Sequence, residues 1–160
     1  MPRRAAVVLA AYALVSCTTL VLPPAGPLSS ASAAQAAWAR VLQRFVNTRG
    51  EVDFAALAAD RGDLDTYLRY VAATPLSSVL DGPQRLAHLI NAYNALSMFN
   101  VIDSGIPASH AGFNKVGFFV LRRLLVGGDA MSLRSFENDV IRPYARSRGD
   151  PRIHFALNCS

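Results

Sequence analysis

Three stretches of the chain carry side chains with acid–base or nucleophilic chemistry. The first is the terminal run His154-Phe-Ala-Leu-Asn-Cys159. Read as a strand over Arg152 to Leu157, it places His154, Ala156 and Asn158 on one face and Phe155 and Leu157 on the other. If Cys159 opens a helix just past that strand, the free N–H groups there favour its thiolate. Cys159 is then a candidate nucleophile and His154 a candidate base. An extended segment holds the two about 16 Å apart over five residues, so they meet only through a turn or act with residues from elsewhere. The competing reading is a small buried cysteine that simply packs.

The second stretch centres on Glu137. It lies four residues after Leu133 and three before Val140, which puts a carboxylate inside the apolar stripe of a helix. Such a group needs a partner or a raised pKa. Arg134 and Arg142 are close in sequence, and His154 is a candidate neighbour in space. A structural ion pair and a catalytic acid or base are both open. The third stretch is a polar row, His88, Asn91, Asn94, Ser97 and Asn100, each three residues from the next. On a helix this row winds by about 60° per step, so only two or three members share a face. Buried amides of this kind either tie down loop backbones or line a site. Asn91 and Asn94 are the members singled out for either role.

These residues need elements to hold them. Trp38, Val41, Leu42 and Phe45 fall at i, i+3, i+4, i+7, the spacing of one helix face, and Leu64, Tyr67, Leu68 and Val71 repeat it. Between them lie a turn at Asn47 to Gly50 and a short extended piece, Val52-Asp53-Phe54. Pro75 ends the second helix. A capping-box-like Asp81 and Gln84, with Pro83 in the first turn, start a third helix over about Gly82 to Asp103. It is apolar on most sides and reads as the central buried helix. Phe118 to Leu121 and Leu124 to Val126 read as strand material. Gly127-Gly128 is a two-residue hairpin turn, with Ala130-Met131 returning. Ser132 caps a helix that Pro143 stops, and Asp150-Pro151 leads to the last strand. The expected class is α+β: one helix-dominated domain with a small β-hairpin or sheet.

The N-terminus reads as an address. Arg3 and Arg4 precede an apolar run from Ala5 to Val15, the layout of a secretory signal and too short for a comfortable membrane span. Two processing sites compete. Leu14-Val15-Ser16-Cys17 fits a lipoprotein signal ending at Cys17, which makes Cys17 a candidate lipidation site. Ala31-Ser32-Ala33 fits ordinary cleavage, after which residues 1–33 would be lost as signal peptide and 34–160 would form the mature domain. The apolar stretch on to Leu22 favours this second site, and an uncleaved anchor from Ala5 to Leu22 is a third outcome.

Removing Arg3 and Arg4 leaves fourteen basic against eleven acidic residues, a net +3 where the full chain has +5. Thirteen of the fourteen are Arg. The loose cluster Arg142, Arg146, Arg148 and Arg152 holds one aromatic, Tyr144, and not the series of interleaved aromatics of a stacking platform, so a solvated loop is expected rather than a nucleic-acid surface. No CxxC, HExxH or His/Cys/carboxylate cluster points to a metal, and no cofactor motif is present. With Cys17 in the signal, Cys159 is unpaired.

The blocks Gly50-Glu-Val-Asp-Phe54, Arg85 to Leu96, Ser132 to Glu137 and above all Asp150-Pro-Arg-Ile-His-Phe-Ala-Leu-Asn-Cys159 resemble the family catalogued as domain of unknown function 547. The resemblance runs from about Trp38 to Ser160, and Asn91, Asn94, Glu137, His154 and Cys159 match its motifs. Members usually carry aromatics where this chain has His88-Leu89, and often a His where Asn138 stands. They continue past the Cys with a second Ser-Cys-Pro-like step and further helices. Together with the apolar run ending two residues before the terminus, this implies a fragment whose C-terminal part is missing. The resemblance assigns no reaction.

Two function classes follow. One is a non-catalytic binding or scaffold domain of the bacterial cell envelope, exported to the periplasm or beyond and in some cases lipid-anchored. The other is a thiol-type hydrolase or transferase using Cys159 with His154 and Glu137. The expected partner is a small molecule, a peptide or an envelope protein, with membrane contact only through a signal anchor or lipid. Mass spectrometry of the mature N-terminus tests the export reading. A start at Ala34 or a diacylated Cys17 supports it, and an intact Met1 overturns it.

Overall fold

The computed structural model describes residues 18–108, 113–150 and 153–157, the side chains of 113, 154 and 155 excepted. Among the described residues eight α-helices and three strands follow one another: β1 (Thr19–Val21), α1 (Ala31–Phe45), α2 (Phe54–Ala59), α3 (Gly62–Ala73), α4 (Pro83–Asp103), α5 (Phe113–Val116), β2 (Arg122–Val126), β3 (Asp129–Met131), α6 (Leu133–Ser135), α7 (Arg142–Ser147) and α8 (Ile153–Ala156). A 3-10 turn covers Leu76–Ser78, and π-helical segments cover Gly117–Leu121 and Phe136–Ile141. The protein is a helix-dominated α+β domain. Its sheet has the order β1-β2-β3, with β1 parallel and β3 antiparallel to β2.

The helices form for the reasons the periodicity gives. Trp38, Val41 and Phe45 of α1 and Leu64, Tyr67, Leu68 and Val71 of α3 are all buried, and the two stripes close on each other with Trp38 stacked on Tyr67 at 5.2 Å. Ser30 caps α1 through its hydroxyl, which accepts from the Ala33 N–H at 3.2 Å. Ser132 caps α6 in the same way, accepting from Ser135 at 3.1 Å. The antiparallel pair Leu124↔Met131, Leu125↔Ala130, Val126↔Asp129 closes over Gly127-Gly128, as the turn signal requires. Both glycines have positive φ, +63° and +97°. Their N–H groups donate to the Val71 and Ala72 carbonyls at 2.9 and 2.8 Å, so the hairpin is hooked onto the last turn of α3.

Several expectations are corrected. Phe118 to Leu121 is π-helical rather than extended, because Phe118 is buried with its carbonyl bonded to a side chain of α4 rather than to a strand. Phe54 begins α2 instead of belonging to an extended piece, since the Asp53 carboxylate accepts from the Ala56 N–H at 3.0 Å and caps a helix there. Gly82, not Asp81, is the cap position of α4 and makes no side-chain cap bond. The Asp81 carboxylate is taken up elsewhere: Tyr144 Oη donates to it at 2.6 Å and Arg148 pairs with it. The Tyr144 hydroxyl first, then Arg148, hold this carboxyl below its usual range, and Gly82 N–H donates to Tyr144 Oη at 2.9 Å. The start of α4 is thereby latched to α7.

The segment from Thr18 to Ala33, expected to lie outside the fold, is packed into it. β1 pairs with β2 in the register Thr19↔Arg122, Leu20↔Arg123, Val21↔Leu124, Val21 is buried in the core, and the Pro27 carbonyl accepts from Arg69 Nε at 3.2 Å. Among the described residues no helix is long and apolar enough to cross a membrane.

The hairpin hook supplies a test. A Cβ on Gly127 would sit 3.1 Å from the Thr74 carbonyl oxygen and from the Leu76 nitrogen, both backbone atoms, whereas a Cβ on Gly128 meets nothing within 4 Å. Gly127→Ala is expected to lower stability by about 1–3 kcal/mol through strain and crowding together. Gly128→Ala carries the backbone strain of its own positive φ without the crowding, and should cost less. Urea unfolding of both variants measures the difference.

Candidate functional site

The polar row sits on α4, the 21-residue helix that buries His88, Leu89, Ala92, Tyr93, Ala95, Leu96, Ser97, Phe99 and Asn100. A buried amide must be bonded, and both the fully buried Asn100 and the half-buried Asn94 are used to fasten backbone. Asn100 Nδ2 donates to the Phe118 carbonyl at 3.0 Å, while its Oδ1 accepts from Arg122, which also pairs with Asp103. Asn94 Nδ2 donates to the Ala156 carbonyl at 3.1 Å. These bonds pin the first π-helical segment and α8 against the central helix. Asn94 Oδ1, Ser97 Oγ and His88 Nε2, by contrast, are buried without a hydrogen-bond partner among the described residues.

Asn94 and Ser97 line a cavity of about 400 Å³, walled by Val52 and Phe54 before and at the start of α2, by Phe118 and Phe119, and by Ala156 and Leu157. Asn91 lines a different cavity, together with His88. The two candidate amides are therefore not brought together, as the winding of the row implied. The Asn94 cavity is walled mostly by apolar side chains, and two of the residues bordering it, Asn94 and Ser97, carry buried oxygens without partners among the described residues, an arrangement suited to a small-molecule site.

Glu137 is buried, as its place in the stripe required. Arg142 Nε donates to Oε1 at 2.8 Å and a second Arg142 nitrogen pairs with the same oxygen. Tyr93 Oη, fully buried, donates to Oε2 at 3.2 Å. The choice of Arg142 over Arg134 follows from the backbone. In an α-helix a residue five positions on lies about 140° round the axis, out of reach. Between Phe136 and Ile141 the helix is π, and the Arg142 N–H donates to the Glu137 carbonyl. That i→i+5 closure brings the guanidinium to the face of the carboxylate. Neither the π turn nor Tyr93 was read from the sequence. Tyr93 lies four residues after Leu89 within an apolar helix face, and a buried phenol there needs an acceptor, which was the available signal.

His154 lies in α8, a helix and not the expected strand. Ile153 and Leu157 are both buried, and the Leu157 N–H donates to the Ile153 carbonyl at 3.3 Å, so the apolar pair is i, i+4 on one helical face. A short apolar run does not by itself distinguish strand from helix. With α8 helical, the alternation of a strand does not apply to His154. The His154 side chain, Cys159 and Cys17 lie outside the described residues, as does Arg152. Of the proposed Cys159, His154 and Glu137 cluster, the structure places Glu137 beside Tyr93 and Arg142. It also places the α8 backbone against Asn94.

The chain belongs to the family described as "Protein of unknown function, DUF547", whose model matches residues 77–160. The match takes in α4, both π-helical segments and α8, and so Asn91, Asn94, Glu137, His154 and Cys159. No curated protein and no solved structure matches the chain.

The Glu137 network sets a stability prediction. Glu137→Gln keeps the shape but removes the carboxylate charge that faces Arg142, and is expected to cost about 1–3 kcal/mol. Tyr93→Phe removes one donor and should cost about 1 kcal/mol. Because both act on one carboxylate, the double variant should cost less than the sum, and a double-mutant cycle by urea unfolding reads that coupling.

Proposed function

We propose that this protein is an exported, non-catalytic binding domain of the cell envelope that takes a small, uncharged ligand in the Asn94 cavity. The observation that carries this reading is the pair of buried oxygens without partners, Asn94 Oδ1 and Ser97 Oγ, in a cavity otherwise walled by Leu, Val, Met and Phe side chains. A buried oxygen without a partner is costly, and a ligand donating an O–H or N–H to it recovers that cost on binding. A ligand with an apolar body and one donor group fits both features. The engagement of both Glu137 oxygens, by Arg142 and by Tyr93, favours a structural carboxylate over a general base.

The packing of β1 bears on export. Cleavage after Ala33 would remove β1, the Ser30 cap and the first residues of α1. Cleavage ahead of Cys17 would keep all of them. A lipoprotein held by a diacylated Cys17 is therefore the form of export we favour.

The probe for the cavity is 1-hexanol at low millimolar concentration with the full chain. It should raise the thermal midpoint in a dose-dependent way, as any ligand selective for the folded state does. Ser97→Val, which removes the hydroxyl and narrows the cavity beside it, should weaken the rise, while Cys159→Ser should leave it unchanged. Absence of any rise overturns the binding site. Hydrolysis of p-nitrophenyl acetate that disappears in Cys159→Ser overturns the non-catalytic assignment in favour of a thiol hydrolase.

A further inference from the structure

A second cavity, of about 870 Å³, opens on the other side of Leu42, between α1, α3 and the beginning of α4. Four rings run along it in series: Trp38 to Tyr67 at 5.2 Å, Tyr67 to Tyr70 at 6.1 Å, and Tyr70 to His88 at 5.8 Å, the last edge-on. At the two ends of this series lie two nitrogens that find no partner among the described residues. Trp38 Nε1 and His88 Nε2 are both buried and unbonded, in residues 4% and 7% exposed. An indole N–H can only donate, and a neutral imidazole nitrogen donates or accepts according to its tautomer. Burial alone pushes the His88 pKa down, so the ring is neutral at physiological pH.

The rest of the lining restricts what fits. It contains Gln35, Gln84 and Asn91 amides and Thr74 and Ser78 hydroxyls, and no Asp, Glu, Lys or Arg. At its rim Leu80 is 76% exposed. An isolated Leu in water needs no explanation, but one bordering a cleft with orphaned polar atoms offers apolar cover for a bound molecule.

We infer that this cleft binds a short, uncharged, apolar peptide segment, with a backbone carbonyl accepting from Trp38 Nε1 and a backbone amide engaging His88. A charged ligand would find no counter-charge in the wall and would lose its hydration. A single small amide would satisfy one end of the ring series and leave the other unmet. A peptide repeats donor and acceptor at about 3.3 Å per extended residue, so it can serve both ends, and its apolar side chains cover Leu80 and Leu42. Tyr70, half-buried and edge-on to His88, is the side chain that must turn aside for the peptide to reach the imidazole.

Trp38 is the only tryptophan in the chain, so its indole N–H gives a single side-chain resonance in a ¹⁵N-correlated spectrum. Titration of the full chain with N-acetyl-Leu-Ala-Leu-amide should shift that resonance saturably. N-acetyl-Glu-Ala-Glu-amide should not shift it. His88→Phe should weaken binding about tenfold. Leu80→Asp, at an exposed position where folding is not at stake, should also weaken it several-fold. Ser97→Val should leave it unchanged, which separates this cleft from the Asn94 cavity. An indole resonance unmoved by the apolar peptide at millimolar concentration overturns the proposal. So does an equal shift with the acidic peptide, or binding indifferent to both His88→Phe and Leu80→Asp.

Discussion

A helix that is apolar on most of its faces has no side to give to water, and α4 is such a helix. It cannot lie on a surface, so the remaining elements must enclose it. α3 packs along one flank, the Phe136–Ile141 segment along another, and the Phe118 carbonyl and α8 are drawn onto it by amides. A purely apolar α4 would be buried just as well but would set no register for what surrounds it. Asn94 and Asn100 supply that register, because each bonds one particular carbonyl and no other geometry satisfies it. The fold is organised by burial and made specific by these few polar bonds.

The same logic explains the π-helical turn at Glu137. Four residues after Leu133, the carboxylate is carried inward by its helix, where Tyr93 reaches one oxygen. A second donor is needed for the other oxygen, and the α-helical neighbours at i+3 and i+4, Val140 and Ile141, cannot supply one. Widening the helix by one residue per turn lets Arg142 arrive instead, at the cost of weaker backbone packing in that segment. The polar requirement of one buried carboxylate thus reshapes the main chain. Pro143 follows directly, where α7 restarts with its proline in the first turn.

What the sequence made legible follows from which forces act locally. Amphipathic spacing announced α1 and α3, because a stripe at 3.6 residues is its own signal. Pro83 and the Gly127-Gly128 pair announced a helix start and a hairpin, because their backbone constraints are intrinsic to those residues. Glu137 was legible as a carboxylate in need of a partner, but its choice of Arg142 was not. Periodicity arguments assume an α-helix, and the π turn breaks that assumption. Phe118 to Leu121 and Ile153 to Leu157 were misread as strands for a related reason: a run of four or five apolar residues is buried in either geometry, and tertiary contacts decide between them. β1 was hidden because an apolar stretch behind a basic N-terminus reads equally as the tail of a signal and as an edge strand.

Asn94 shows where satisfaction stops and what that implies. Its nitrogen is spent on the Ala156 carbonyl, and its oxygen is left without a partner beside the likewise unbonded Ser97 hydroxyl. A side chain retained only to fasten α8 needs a donor there and nothing more. A side chain retained only to fill space would not be polar at all. The unpartnered half of the amide therefore asks for something the described chain does not itself provide. The other side chains with orphaned buried atoms, Trp38 and His88, also border a cavity. Among the described residues, the buried side-chain atoms without a partner all belong to residues that border one of the two cavities. Such positions are where a water or a ligand can complete the bonding that the described residues leave open.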